Sequence, residues 1–331
     1  MPVDAVAERA GRAGRGSKVG AVEAAEIRFG GEPGRVPRRG PWRQAFGRLR
    51  RRPLALAAGA VVGFFVLVAL LAPVVAPYAA GWSSLQLIQK PQAPLAPHHL
   101  LGTDVLGHDL LTQLLYAVRE TMLSAFFCAG LATIIGGTVG VIAGYSGGWF
   151  DGTAAFVMRV AVSLPAILVL GFVSSRYPGL LTPLQNAFWL ALILWPGVAR
   201  IVSTSVASLR SREFVQAARA AGASTPRVVS RHVLPNVTGT LIVAATTLVG
   251  QAIVIVATVQ YLGYSANDAH QPTLGGLVAD ATAAPSQVLS GTAGIGDLWW
   301  LYTFPAAVLV VLLLAVTFLG DSLDEALNPA R

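Results

Sequence analysis

The chain has 331 residues, 54% of them apolar and 12% charged, with a mean hydropathy of +0.62 and a formal net charge of +8. So little polar surface cannot cover a water-soluble globule of this length, which excludes a soluble domain and sends most of the chain to lipid or to other helices. The charge argues against a nucleic-acid surface: residues 1–52 hold thirteen basic residues and five acids, the whole excess, directly before the first apolar run. That is where a flank held against anionic lipid headgroups belongs.

In chain order, residues 1–40 are rich in Gly, Arg, Ala and Pro without apolar periodicity and read as a disordered basic tail. The long basic segment before a full-length span is not the pattern of a cleavable signal peptide. WRQAFGRLRRRP at 42–53 follows as an interfacial lead-in, with Trp42 and Phe46 as anchors and Arg48, Arg50, Arg51 and Arg52 at the headgroups. Because a bilayer core is crossed by roughly 20 apolar helical residues, spans are expected at 54–75, 120–144, 153–174, 184–202, 237–261 and 301–319. The fold class is therefore an all-α, polytopic membrane protein with six transmembrane helices. Three regions result: the tail at 1–40, the first helix and its outer loop at 41–119, and a five-helix core at 120–331 that contains a long loop at 203–236.

Six spans put both termini on one side, and the basic tail makes that side cytoplasmic. The loop 203–236 then also faces the cytoplasm, and it carries Arg210, Arg212, Arg219, Arg227 and Arg231 against the single acid Glu213. The loops assigned outside, 76–119, 175–183 and 262–300, hold only Lys90, Arg119 and Arg176, while Trp299, Trp300 and Tyr302 fall where an outer aromatic belt is expected. Cys128, the single cysteine, lies in an apolar run and reads as a small buried hydrophobe.

The cytoplasmic loop SLRSREFVQAARAAGASTPRVVSRHVLPN divides into a helix rich in small residues, a break at Gly222, a second short helix, and Leu234-Pro235 leading back into the membrane. Such a hairpin can dock into a cleft on a soluble partner, its alanines allowing close approach. At the other side, in HHLLGTDVLGHDLLTQLLYAVRETML, the Gly-Thr-Asp turn is expected to cap a short surface helix from Asp104 or Val105. His98, His99 and His108 could in principle hold a transition ion, but surface histidine is common and no metal site is expected here. Arg159 lies near the cytoplasmic end of its span and is expected to snorkel. No phosphate-binding GxxxxGK[ST], nucleophile elbow or HExxH is present, so chemistry belongs to other chains.

The loop resembles the EAA loop of ABC-importer membrane subunits: Ala217, Ala218, Gly222, Ala223, Leu234 and Pro235 fit it, Gln216 replaces the usual Glu, and Glu213 lies one turn away. Gly102, Thr103, Asp104, Gly107, Asp109 and Arg119 are similar to the LGTDxxGRD segment of the dipeptide, oligopeptide and nickel permeases, with His108 replacing Arg. GYSGGWFDG at 144–152 and GDSLDEALNP at 320–329 are similar to two further segments of that family. MRVAVSLP departs from it, lacking an Asp after Arg159 and bringing Pro165 closer.

The resemblance implies the second of two paired permease subunits in a type I ABC importer of the peptide class. It implies a homologous partner permease, two cytoplasmic ATPase subunits holding ATP and Mg, an extracytoplasmic solute-binding protein, and no cofactor on this chain. Relatives with these motifs also move nickel, haem or other small solutes, which stays open here. An ion-gradient transporter or channel would need ionisable residues along the spans, and little is present beyond Glu120 and Arg159. A membrane anchor or sensor would need a soluble signalling domain, and none is recognisable.

Overall fold

The computed structural model describes residues 47–50, 52–81, 83, 91–176, 182–263, 271–287 and 295–327. The basic tail at 1–40, the anchors Trp42 and Phe46, Arg51, Lys90 and the last residues of the GDSLDEALNP segment lie outside the described residues. Among those described, the architecture is all-α, with isolated bridges as the only extended pairing.

Helix α1, Pro53–Val75, begins with proline at a position where the missing N–H is no loss, and its 23 residues reach roughly 35 Å at 1.5 Å per residue. Helix α2, Leu110–Ser146, has 37 residues and is longer than a bilayer core requires. It starts ten residues before the expected span, because Asp109 caps it: the carboxylate accepts from Thr112 N and Thr112 Oγ1, both at 2.8 Å. No surface helix starts at Asp104 or Val105, so that expectation is corrected.

The third expected span is two helices, α3 (Gly148–Ser163) and α4 (Ala166–Arg176), meeting at 74°. Proline explains the bend. Pro165 lacks an N–H and disfavours helical backbone in the residue before it, and Leu164 is accordingly extended at φ −74°, ψ 127°. Arg159 is exposed on α3, as snorkelling requires.

Helix α5, Pro183–Arg210, opens on a capping box between Thr182 and Gln185. After α6 (Glu213–Ala220) and α7 (Thr225–Val228), a π-turn at Val229–Val233 runs without a break into α8, Leu234–Tyr261. Pro235 cannot donate to the carbonyl four residues back, and the widened turn absorbs that loss within a continuous helix. The expected loop at 262–300 contains a further helix, α9 (Leu274–Gln287), too short to span and so invisible to a search for spans. Its buried Leu274, Leu277, Ala281 and Ala284 form one face against α8 and α10, the latter Trp299–Leu327.

The most extensive pairing joins α2 to α5. Gly136, Gly140 and Gly144 recur every fourth residue on α2, and a Cβ on Gly136 or Gly140 would lie 2.5 or 2.6 Å from the carbonyl oxygen of Trp195 or Ala199. Only the absence of side chains lets the two backbones approach so closely, the small-residue packing of membrane helices. Cys128 is fully buried in this core.

The beginning and end of the bundle meet at one side. Arg48 Nη1 donates to the carbonyl of Ala326 at 3.1 Å, and Arg52 pairs with Glu325 in the last turn of α10. These arginines thus do more than face headgroups: they neutralise a helix C-terminus.

Candidate functional site

The loop between α5 and α8 is held by three fully buried valines, Val215, Val228 and Val233, one from each of its turns. Helix α6 ends in a Schellman motif: Gly222, at φ +83°, donates to Arg219 O at 2.9 Å, and Ala223 N donates to Ala218 O at 3.1 Å. The left-handed backbone is what requires glycine there. Glu213 sits in the first turn of α6, where a carboxylate complements the helix dipole. Gln216 Nε2 donates to Ser211 O at 3.1 Å, so the residue in the usual Glu position folds back on the turn that enters α6.

The structure brings these predicted residues into one surface. Glu213, Gln216, Ala217 and Gly222 are exposed, together with Phe214, Ala220 and Ala221, whereas Ala218 and Ala223 lean toward the bundle. Leu234 and Pro235 are exposed at the start of α8. A flat patch of methyl groups beside one aromatic ring suits close docking of a protein surface.

One anchor escaped the sequence. Arg219 Nε donates to Tyr145 Oη at 3.1 Å, and the guanidinium carbon lies 4.8 Å from the centre of the same ring. Tyr145 is buried at the last turn of α2, immediately before the reversal at Gly147 and Gly148, which have φ +65° and +64°. Helix α6 is therefore joined to α5 through a two-residue turn and to α2 through a cation–π contact with a hydrogen bond. Two signals existed, a tyrosine inside GYSGG and an arginine inside AARAAG, but nothing in the sequence pairs them.

At the opposite end, the GTD segment folds back on itself. Asp104 accepts from Leu106 N (2.9 Å), His108 N (2.8 Å), His108 Nδ1 (2.7 Å) and Gln113 Nε2 (2.9 Å). Asp109, besides capping α2, bonds to His99 Nδ1 at 2.9 Å. Thr103 Oγ1 accepts from Gln92 N at 2.9 Å, and its carbonyl accepts from Trp300 Nε1 at 3.3 Å. Gly102 and Gly107 both have positive φ, +83° and +80°.

His99 and His108 are thus each engaged by an aspartate of the same loop, and the described residues contain no group of three potential metal ligands. Trp300, expected in the aromatic belt, is 6% exposed and serves as a strut for Thr103. Arg119 lies on α2 beyond the cap, and its side chain forms no hydrogen bond with another described residue. The Asp104 carboxylate raises the His108 pKa above its ordinary value, against an opposing effect of burial, and the nearby Asp280 of α9 adds to the rise.

A groove of about 700 Å³ runs between α5 and α8 to the end of α10. It is lined by apolar and uncharged polar side chains of α5, α8 and α10, with Asp324 as its single ionisable lining group.

The family described as binding-protein-dependent transport system inner membrane component matches residues 136–331, which hold α5 to α8 and the loop between them. The chain belongs to that family. Residues 40–94 match the N-terminal transmembrane domain of oligopeptide transport permease C. A dipeptide transport system permease protein DppC of Alkalihalophilus pseudofirmus is 32% identical over 291 residues, 87% of this chain and 90% of that protein. An oligopeptide transport system permease protein OppC of Mycobacterium bovis is 36% identical over 244 residues, 72% of this chain and 78% of that protein. The DppC protein of Bacillus subtilis is 31% identical over 286 residues, covering 86% and 84%. The chain is a multi-pass membrane permease of the binding-protein-dependent type.

Proposed function

We propose that this chain is the permease C-type subunit of an ATP-driven peptide importer and forms half of its translocation pathway. The match of residues 40–94 to the N-terminal domain of oligopeptide permease C carries this reading, since that segment lies outside the part shared by the wider family. The names of the dipeptide and oligopeptide relatives support it over the nickel and haem alternatives.

The complex comprises this subunit, a homologous permease, two cytoplasmic ATPase subunits and an extracytoplasmic solute-binding protein, in the bacterial inner membrane with both termini inside. ATP and Mg belong to the ATPase subunits, and this chain is neither an enzyme nor a cofactor carrier. The exposed face of α6 around Gln216, Ala217 and Gly222 seats in an ATPase subunit. When nucleotide closes the ATPases, α6 moves with them. Its turn into α5 and the Arg219–Tyr145 contact pass that displacement to α2 and α5, which the glycine contact makes a single body. The groove between α5 and α8 then changes the side to which it opens. The arginines of the loop support its cytoplasmic side, and the ordered GTD loop supports a rigid outer platform for the binding protein.

The test is ATP hydrolysis by the reconstituted complex. A peptide-loaded binding protein stimulates it, whereas stimulation by a nickel- or haem-loaded binding protein and never by a peptide-loaded one overturns the substrate. Labelling of Ala221→Cys from outside intact cells overturns the orientation and the coupling role with it.

A further inference from the structure

The groove between α5 and α8 is lined by two helix faces. Ile201 and Ser205 come from α5, Thr240, Thr247 and Gln251 from α8, and Asp324 from α10 stands at the end where the coupling loop lies. Ser205 Oγ and Thr247 Oγ1 donate to carbonyls of their own helices, Ile201 at 3.0 Å and Val243 at 3.0 Å, which leaves the outward side of each hydroxyl an acceptor.

Gln251 is different. It is exposed, its side chain hydrogen-bonds to no other described residue, and it borders both this groove and a second recess toward α10. It also sits deep in the span, roughly 25 Å of helix from Leu234 and roughly 15 Å from Tyr261 at 1.5 Å per residue. A primary amide at that depth cannot face acyl chains without losing hydrogen bonds that nothing there replaces. Either water and solute or a polar group of a partner chain must meet it.

The shape of the groove decides between these. Where α2 packs on α5, Gly136 and Gly140 leave no room even for a Cβ. The groove wall also includes a glycine, Gly197, but a Cβ there would meet nothing within 4 Å; half-exposed Ile201 stands beside exposed Thr247 and Gln251, and about 700 Å³ stays open, within the usual range for a small-molecule site. Nor does the wall carry a charge before Asp324, so a passing solute meets hydrogen-bonding groups and no fixed ion.

We propose that Gln251 is a solute-contacting residue whose side-chain amide bonds to main-chain amide groups of a peptide moving along the α5–α8 groove. The inference rests on the peptide reading above and deepens it. A carboxamide offers two donors and one carbonyl acceptor, the complement of a peptide bond, which every peptide presents whatever its side chains. An uncharged wall gives a path indifferent to peptide charge, with selection left to the binding protein.

The experiment uses the complete complex in proteoliposomes, supplied with neutral, acidic and basic tripeptides of equal length. Gln251→Leu is expected to slow uptake of all three about fivefold, the worth of one hydrogen bond. Gln251→Lys is expected to make uptake charge-dependent, the basic peptide falling at least about tenfold below the acidic one through repulsion in a poorly screened site. Uptake at the wild-type rate by Gln251→Leu, without charge dependence in Gln251→Lys, overturns the proposal.

A second measurement does not depend on the solute. In the same complex, Gln251→Cys is expected to react with a charged, water-soluble methanethiosulfonate, and Phe64→Cys, on an exposed position of α1, to resist it; Cys128 is fully buried and gives little background. Failure of Gln251→Cys to react means that a partner helix or acyl chains fill the groove, and overturns the proposal. Reaction at Gln251→Cys, together with a wild-type complex that imports no peptide, defeats the peptide reading and, with it, the assigned ligand.

Discussion

Replacing Gly140 with alanine tests whether α2 and α5 move as one body. The new Cβ would lie 2.6 Å from the carbonyl oxygen of Ala199 and 2.8 Å from Val202 Cβ. Ordinary contact begins at 3.4 Å, so α5 must withdraw by about 0.8 Å. Tilting gives no relief, because Gly136 one turn before and Gly144 one turn after press on Trp195 and Ser203 of the same helix. Overpacking of this kind costs about 1–3 kcal/mol. Gly130→Ala is the control, on the same helix but with nothing within 4 Å of its added methyl. It is expected to leave stability unchanged or raise it by up to about 1 kcal/mol through helix propensity. The assay is the thermal unfolding midpoint of the detergent-solubilised complex followed by tryptophan fluorescence. Gly140→Ala should unfold well below Gly130→Ala, and equal midpoints would refute the close-contact account.

Three further outcomes are expected. Tyr145→Phe keeps the aromatic face beneath Arg219 and loses the hydrogen bond, whereas Tyr145→Leu loses both; peptide moved per ATP hydrolysed should fall slightly in the first and several-fold in the second, and an unchanged ratio in Tyr145→Leu would remove the contact from the coupling route. Asp109→Ala takes away the cap of α2 and strands His99, with an expected loss of about 2 kcal/mol in chemical denaturation, and a loss near zero would contradict the buried geometry. The pKa of His108 is raised in the folded chain, so its contribution is complete below the ordinary histidine value, about 6.5, and disappears as pH rises through the folded value. The melting midpoint should therefore decline as pH rises above about 6.5, and His108→Asn should flatten that decline.

Much of the architecture was legible because hydropathy and charge act locally. Runs such as PLALAAGAVVGFFVLVALLAPVV announce a span by themselves. The turn chemistry of the loop was equally readable, since Gly222 fixes the end of α6 through its own backbone. Helix α9 was not, because fourteen residues fail any length test for a span and its buried face has meaning only against α8 and α10. The capped start of α2 was hidden for a related reason: the sequence reading placed the cap in the Gly-Thr-Asp turn, and only the folded loop commits Asp104 to His108 and Gln113 and leaves Asp109 to cap α2.

By itself, then, the sequence determined that this chain crosses the membrane repeatedly, where its basic residues lie, and where the hairpin between α5 and α8 turns, because those properties follow from composition within a window of twenty to thirty residues. The tertiary structure alone decided which glycines touch α5, that Arg219 reaches Tyr145, that Trp300 supports Thr103, and that Gln251 opens onto a groove. Each of these is a relation between residues far apart in the chain, and such relations come into being when apolar helix faces are buried against one another and fix the register at which distant side chains meet.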